Sequence, residues 1–150
     1  MWLKLVIVAA VMVVAVVAAL IAQRRRPSPP ANPTEYEAPA QLDRSDFPDP
    51  STPWLVVVFS SATCSTCAEV WTRARVLASD AVAVVEVEAV RDAELHRRYG
   101  IDAVPITVVA DAAGVVQRSF VGPVSSTHLW AALAEVREPG SVPEGCDTGE

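Results

Sequence analysis

The feature that most narrows the folds open to this chain is an unbroken apolar segment that runs into two closely spaced cysteines. Trp54-Leu55-Val56-Val57-Val58-Phe59-Ser60 lacks the polar alternation of a half-exposed strand, so it reads as a strand covered on both faces, central in a partly parallel sheet. Cys64-Ser65-Thr66-Cys67 follows. From there Val70, Trp71, Ala74, Leu77 and Ala78 recur at three- and four-residue intervals, which predicts a helix over residues 65–79 with Trp71 packed in its apolar stripe. The cysteines therefore stand where a central strand turns into a helix. Thiols three apart on a first helical turn are within reach of a disulfide, and a helix N-terminus favours negative charge there. Cys64, nearer the end, is expected to be the exposed thiolate and nucleophile. Cys67, one turn deeper, is expected to face inward and resolve the mixed disulfide formed by the first.

The same reading extends along the chain. Val82–Glu88 has strand character, residues 93–99 form a short helix stopped by Gly100, and Ile106–Ala110 is again β-branched. Asp111-Ala112-Ala113-Gly114 supplies turn chemistry, so residues 115–120 return as the second arm of a hairpin. Ser125, Ser126 or Thr127 caps a last helix in which Leu129, Trp130, Leu133 and Val136 form one face, ended by Pro139-Gly140. The order β-α-β-α-β-β-α is that of an α/β layer with helices on both faces, filling residues 41–138.

The ends of the chain are of another kind. After a tail of residues 1–4, every residue from Leu5 to Ala22 is apolar, enough for a helix of about 27 Å, close to the thickness of a bilayer core. Residues 5–23 are therefore expected to be a transmembrane helix, and the chain a single-pass membrane protein that meets the membrane through residues 2–26. Lys4 and the amino terminus precede the span and Arg24-Arg25-Arg26 follow it, so the positive-inside rule places the C-terminal domain in the cytoplasm. The extracytoplasmic side is the alternative, and it would expose the cysteines to an oxidising compartment. Residues 24–40 are a basic flank and proline-rich linker; its residues 27–40, extended as polyproline-like chain, reach roughly 40 Å. Beyond residue 26 there are eight Arg, no Lys and 18 acidic residues, a net charge of −10, which gives no electrostatic reason to bind nucleic acid. Residues 139–150 read as an acidic flexible tail. Its Cys146 is an exposed spare thiol, or else a third thiol that visits Cys64 or joins two chains.

Over about residues 41–138 the chain resembles the thioredoxin family. The resemblance is carried by the hydrophobic strand leading into Cys64-Ser65-Thr66-Cys67, by Tyr99-Gly100-Ile101 and Val104-Pro105-Ile106, by the hairpin, and by Gly122 before the last helix. It implies a thioredoxin-like fold, a central mixed β-sheet flanked by helices. It also implies thiol–disulfide exchange at Cys64 and Cys67 with protein disulfides or dithiols, a redox partner that resets the site, and no organic cofactor. By the same resemblance Pro105 is cis and packs against the cysteine pair, while Val104 offers backbone hydrogen bonds to substrate. A cytoplasmic domain of this kind is expected to be a reductant, and an extracytoplasmic one an oxidase or isomerase.

Four positions depart from the family pattern. Thr63 stands where thioredoxins carry Trp, Ser65-Thr66 replaces Gly-Pro, and Val58 occupies the place of a buried Asp that assists proton transfer to the second cysteine. Alignment through Tyr99-Gly100-Ile101 makes Glu86 the candidate proton acceptor, moved to the neighbouring strand; the alternative is an ordinary strand-end acid. His96 and His128 lie 29 and 61 residues beyond Cys67, spacings that match no compact zinc site, so no metal is expected and both read as surface residues on helices. The departures leave a second functional reading, a redox-inactive binding module that holds a partner protein or a soft metal ion at the cleft around Pro105.

Overall fold

Trp54–Ser60 forms the strand β1, and its composition explains its place. Leu55 through Phe59 are wholly buried because β1 has a strand on either side and cover on both faces, each such side chain contributing about 1.5–3 kcal/mol by its burial. The molecule is described by a computed structural model covering Trp2 and residues 36–141; the latter belong to the second of two units, residues 34–150, into which the chain divides. The expected transmembrane helix, the linker as far as residue 35, and Cys146 lie outside the described residues. Among the described residues no helix is long and apolar enough to cross a membrane.

After β1 come α1 (Ser65–Ala74), β2 (Val82–Glu88), α2 (Ala93–Arg98), β3 (Ile106–Ala110), β4 (Val116–Val121) and α3 (Ser126–Arg137). The four strands lie in the order β2-β1-β3-β4. β1 runs parallel to β2, with Val58 opposite Glu86 and Ser60 opposite Glu88, and antiparallel to β3, with Phe59 opposite Ile106. The sheet is therefore mixed, with β1 inside it, as its continuous apolar run predicts.

Alternation along the strands separates two cores. On one face Val56, Val58, Val82 and Val109 pack under Val70, Ala74 and Leu77 of the α1 segment and Leu129 and Leu133 of α3. On the other, Leu55, Val57, Phe59, Ile106 and Val108 meet Leu42, Phe47, Leu95 of α2 and Tyr99. Trp71 is half-buried against the first core, as its stripe position predicts. Helices thus cover both faces.

Several local expectations need correction. The α-helix of residues 65–79 stops at Ala74, and a 3-10 turn, Arg75–Leu77, carries the chain onward. Leu77 is still buried, but Ala78 is exposed, since the tighter winding turns it off the apolar face. Trp130 is half-exposed although Leu129 is buried, because residues one apart on a helix point about 100° from each other. His96 is buried, not on the surface. Its Nε2 lies 3.0 Å from Val87 O and its ring meets Phe59 edge-on at 5.6 Å, so a backbone carbonyl and an aromatic edge take the place of water.

Two pieces of short-range chemistry hold the edges. Asp111 Oδ1 accepts from Ala113 N and Val115 N at 2.9 and 3.0 Å, and Gly114 takes φ +79°, which turns β3 into β4. Residues ahead of the expected boundary at 41 also join the domain: Val116 N donates to Ala40 O at 3.0 Å and Leu42 N to Gly114 O at 2.8 Å. Arg44, in a 3-10 turn just after, is buried with its guanidinium on the carbonyls of Asp49, Thr52 and Asp111. Burial lowers its pKa from the ordinary guanidinium value.

Candidate active site

The end of β1 decides the geometry of the cysteines. Its apolar run stops at Ser60, and a loop of three residues carries the chain to Cys64, the N-cap of α1. Cys64 N donates to Ser61 O at 3.0 Å, and Cys64 Sγ accepts from Cys67 N at 3.1 Å, so sulfur takes the place that a Ser or Asp oxygen holds at other helix starts. Cys64 and Cys67 are joined as a disulfide, with Cα atoms 5.3 Å apart. Cys64 is partly exposed and Cys67 is buried, at 1% exposure. Cys64 is thus the more accessible residue of the pair. A thiolate released at Cys64 would lie against the N-terminal turn of α1, whose N–H groups and dipole favour its charge.

Register brings the second part of the site to the same end of the sheet. β3 enters where β1 leaves, because Phe59 pairs with Ile106, so Pro105 arrives beside the start of the cysteine loop. The Val104-Pro105 bond is cis, Pro105 is buried, and its carbonyl accepts from Gly122 N at 2.8 Å. Val104 is half-buried against the second core.

Glu86 lies directly across from Val58, on the sheet face that α1 and α3 cover. It is half-buried, and its Oε1 accepts from the hydroxyl of Ser60, itself buried, at 2.9 Å. The carboxylate is therefore on the neighbouring strand at the register of Val58. On β3 the residue opposite Val58 is Thr107, fully buried, whose hydroxyl has no partner among the described residues.

Sequence reasoning missed Glu88. Its carboxylate accepts from Ala62 N, in the cysteine loop, and from Val90 N and Arg91 N. The backbone N–H groups of Arg91 and Ala62 hold its pKa below the ordinary glutamate value. Arg91 in turn is raised, chiefly by its bond to Asp92. The only signal in the sequence is the parallel register of β1 and β2, which becomes visible once Ser60 is paired with Glu88.

No protein-family model matches the sequence, and no curated protein is significantly similar to it. Solved structures are. A malarial protein matches with TM-score 0.51 and 16% identity over 56% of this chain and 97% of its own. A mutant thioredoxin from Halobacterium salinarum matches with TM-score 0.50 and 20% identity, over 62% of this chain and 80% of its own. The fold is thioredoxin-like. In that setting the disulfide, the cis proline and the strand-to-helix junction fall together at one end of the sheet. Glu86 on β2 and Thr107 on β3 are the polar residues that flank Val58 on the neighbouring strands.

Proposed function

We propose that the protein is a thiol–disulfide oxidoreductase of the protein-disulfide-reducing kind. The observation that carries this is the disulfide between a partly exposed Cys64 at the helix N-cap and a buried Cys67 one turn on. In the reduced protein the Cys64 thiolate attacks one sulfur of a substrate disulfide, forming a mixed disulfide and releasing the other sulfur as thiolate. Cys67, losing its proton, then attacks Cys64 Sγ and releases the second substrate sulfur. Two electrons pass to the substrate and the site is left as the Cys64–Cys67 disulfide. A dithiol partner must reduce it again.

The backbone of Val104, before cis Pro105, holds the substrate chain as an extended partner. Glu86 is the acceptor of the Cys67 proton, a role supported by its place beside Val58 and its bond to Ser60. If Glu86→Gln leaves the pH profile of exchange unchanged, this role is wrong. Residues 5–23 anchor the chain in a membrane and residues 24–35 space the domain from it, on the cytoplasmic side; the support is the apolar run and the Arg24-Arg25-Arg26 flank. Tethering raises the effective concentration of membrane-bound substrates.

The test is to trap the intermediate. Cys67→Ser accumulates mixed disulfides with protein substrates at Cys64, released by dithiothreitol, while Cys64→Ser accumulates none. Capture of the same partner by both variants, insensitive to reductant, would instead establish a binding module.

A further inference from the structure

The exchange chemistry leaves the Glu88 carboxylate unused, yet its bonds lead to the nucleophile. Glu88 ends β2 and pairs with Ser60, the last residue of β1. Its oxygens divide between two pieces of chain. Oε1 accepts from Ala62 N at 3.0 Å, in the loop that delivers Cys64, and Oε2 accepts from Val90 N and Arg91 N at 2.9 and 2.8 Å, in the turn that enters α2. That turn is itself fixed, because Asp92 Oδ2 accepts from Glu88 N at 2.8 Å and from Arg91 Nε at 2.9 Å. On the loop side the series continues to sulfur through Cys64 N on Ser61 O and Cys67 N on Cys64 Sγ.

We propose that Glu88 is a positioning residue for Cys64, its carboxylate fastening residues 61–63 to the turn before α2 so that Cys64 Sγ is kept at the N-cap of α1. This rests on Cys64 being the attacking thiol. Hydrogen bonds to an ionised acceptor are the strong ones, roughly twice a neutral pair, and here three N–H donors share one carboxylate. The charged and titratable groups around it are Arg91 and Asp92 in the turn, Glu86 two residues back on the same face, and Cys64 beyond the facing loop.

Positioning and simple charge act in opposite directions. A negative group near a thiolate disfavours it, so removing the charge alone would raise the thiolate fraction of Cys64. Loosening the loop instead withdraws Cys64 Sγ from the helix N-terminus and lowers that fraction. Glu88→Gln offers a single acceptor to two sets of donors and must abandon one. Glu88→Asp keeps the charge but is one methylene short of spanning both.

The experiment follows alkylation of Cys64 by iodoacetamide against pH in the reduced full-length protein, with the site resolved by peptide mass spectrometry. Unfolding midpoints establish that each variant is folded. Both variants are expected to move the profile to higher pH and to slow Cys64 alkylation at pH 7 by about threefold or more. Faster alkylation in Glu88→Gln with Glu88→Asp unchanged would show a charge effect alone and overturn the proposal, as would two profiles identical to wild type. No disulfide substrate is involved. A protein that traps nothing as Cys67→Ser but whose Cys64 profile responds to Glu88 loses the exchange reading and keeps this one.

Discussion

Tyr99 shows what a single side chain contributes to holding the site's platform together. Its hydroxyl donates to Asp46 Oδ2 and accepts from Asp43 N at 3.0 Å, while Arg98 pairs with Asp46. The ring stacks on Phe47 with centroids 6.0 Å apart. Burial first, and then the bond to Asp46, push its pKa up to about 12. Because the folded value lies above the unfolded one, the stability involved is whole below the ordinary tyrosine value of about 10. It is lost as pH rises through about 12. Tyr99→Phe is expected to cost about 1 kcal/mol at neutral pH, as for a typical hydrogen bond, and to flatten the fall in the denaturation midpoint above pH 10. Equal midpoints for the two proteins at neutral and alkaline pH would contradict this. At this scale the sequence was only partly legible. Cys64 and Cys67 declare themselves by spacing, and Tyr99 by its place before Gly100. Burial of His96 and Arg44 does not show, because every partner but the Thr52 hydroxyl is a backbone carbonyl, and backbone carbonyls leave no mark in a sequence. Glu88 was hidden for a related reason, since its role consists of bonds to backbone N–H groups, one of them, Ala62 N, 26 residues away.

The hairpin between β3 and β4 shows how one residue holds an element to its neighbour. Gly114 has φ +79°, and a Cβ built there would fall on the carbonyl oxygen of Leu42. Gly100 has φ +61°, with nothing within 4 Å of such a Cβ. Gly100→Ala is therefore expected to cost only the left-handed backbone penalty, about 1–2 kcal/mol. Gly114→Ala should cost more, because residues 40–42 must also leave the hairpin, opening the Leu42 N to Gly114 O bond. Denaturant unfolding of the two variants checks the order; a smaller loss for Gly114→Ala would overturn it. Elements themselves were well marked in the sequence. β1, β2 and β3 have the bounds that their β-branched runs suggest, and of the three candidate caps for α3 it is Ser125 whose Oγ accepts from His128 N. The errors fall where periodicity cannot distinguish winding. Residues 75–77 keep the apolar spacing of a helix while tightening into a 3-10 turn, and Leu77 stays buried in both windings.

At the scale of the whole molecule, the acidic domain, the proline-rich segment and the apolar run divide the sequence into parts of different composition. The proposed anchor predicts that the full-length protein stays with membranes after alkaline carbonate extraction, while a form starting at residue 36 is released. Release of both would remove the tether and leave the domain chemistry untouched. In the proposed function Cys64 and Cys67 form a reversible dithiol–disulfide pair that works as a reductant. Its most direct test is the equilibrium of that pair in the full-length protein, read by thiol trapping across graded redox buffers in metal-free solution. A single two-electron transition is expected near −270 mV, roughly the value of a reducing thioredoxin-type dithiol. A transition near about −120 mV would indicate an oxidant and contradict the reductase assignment. The absence of any reversible transition would contradict the exchange chemistry altogether.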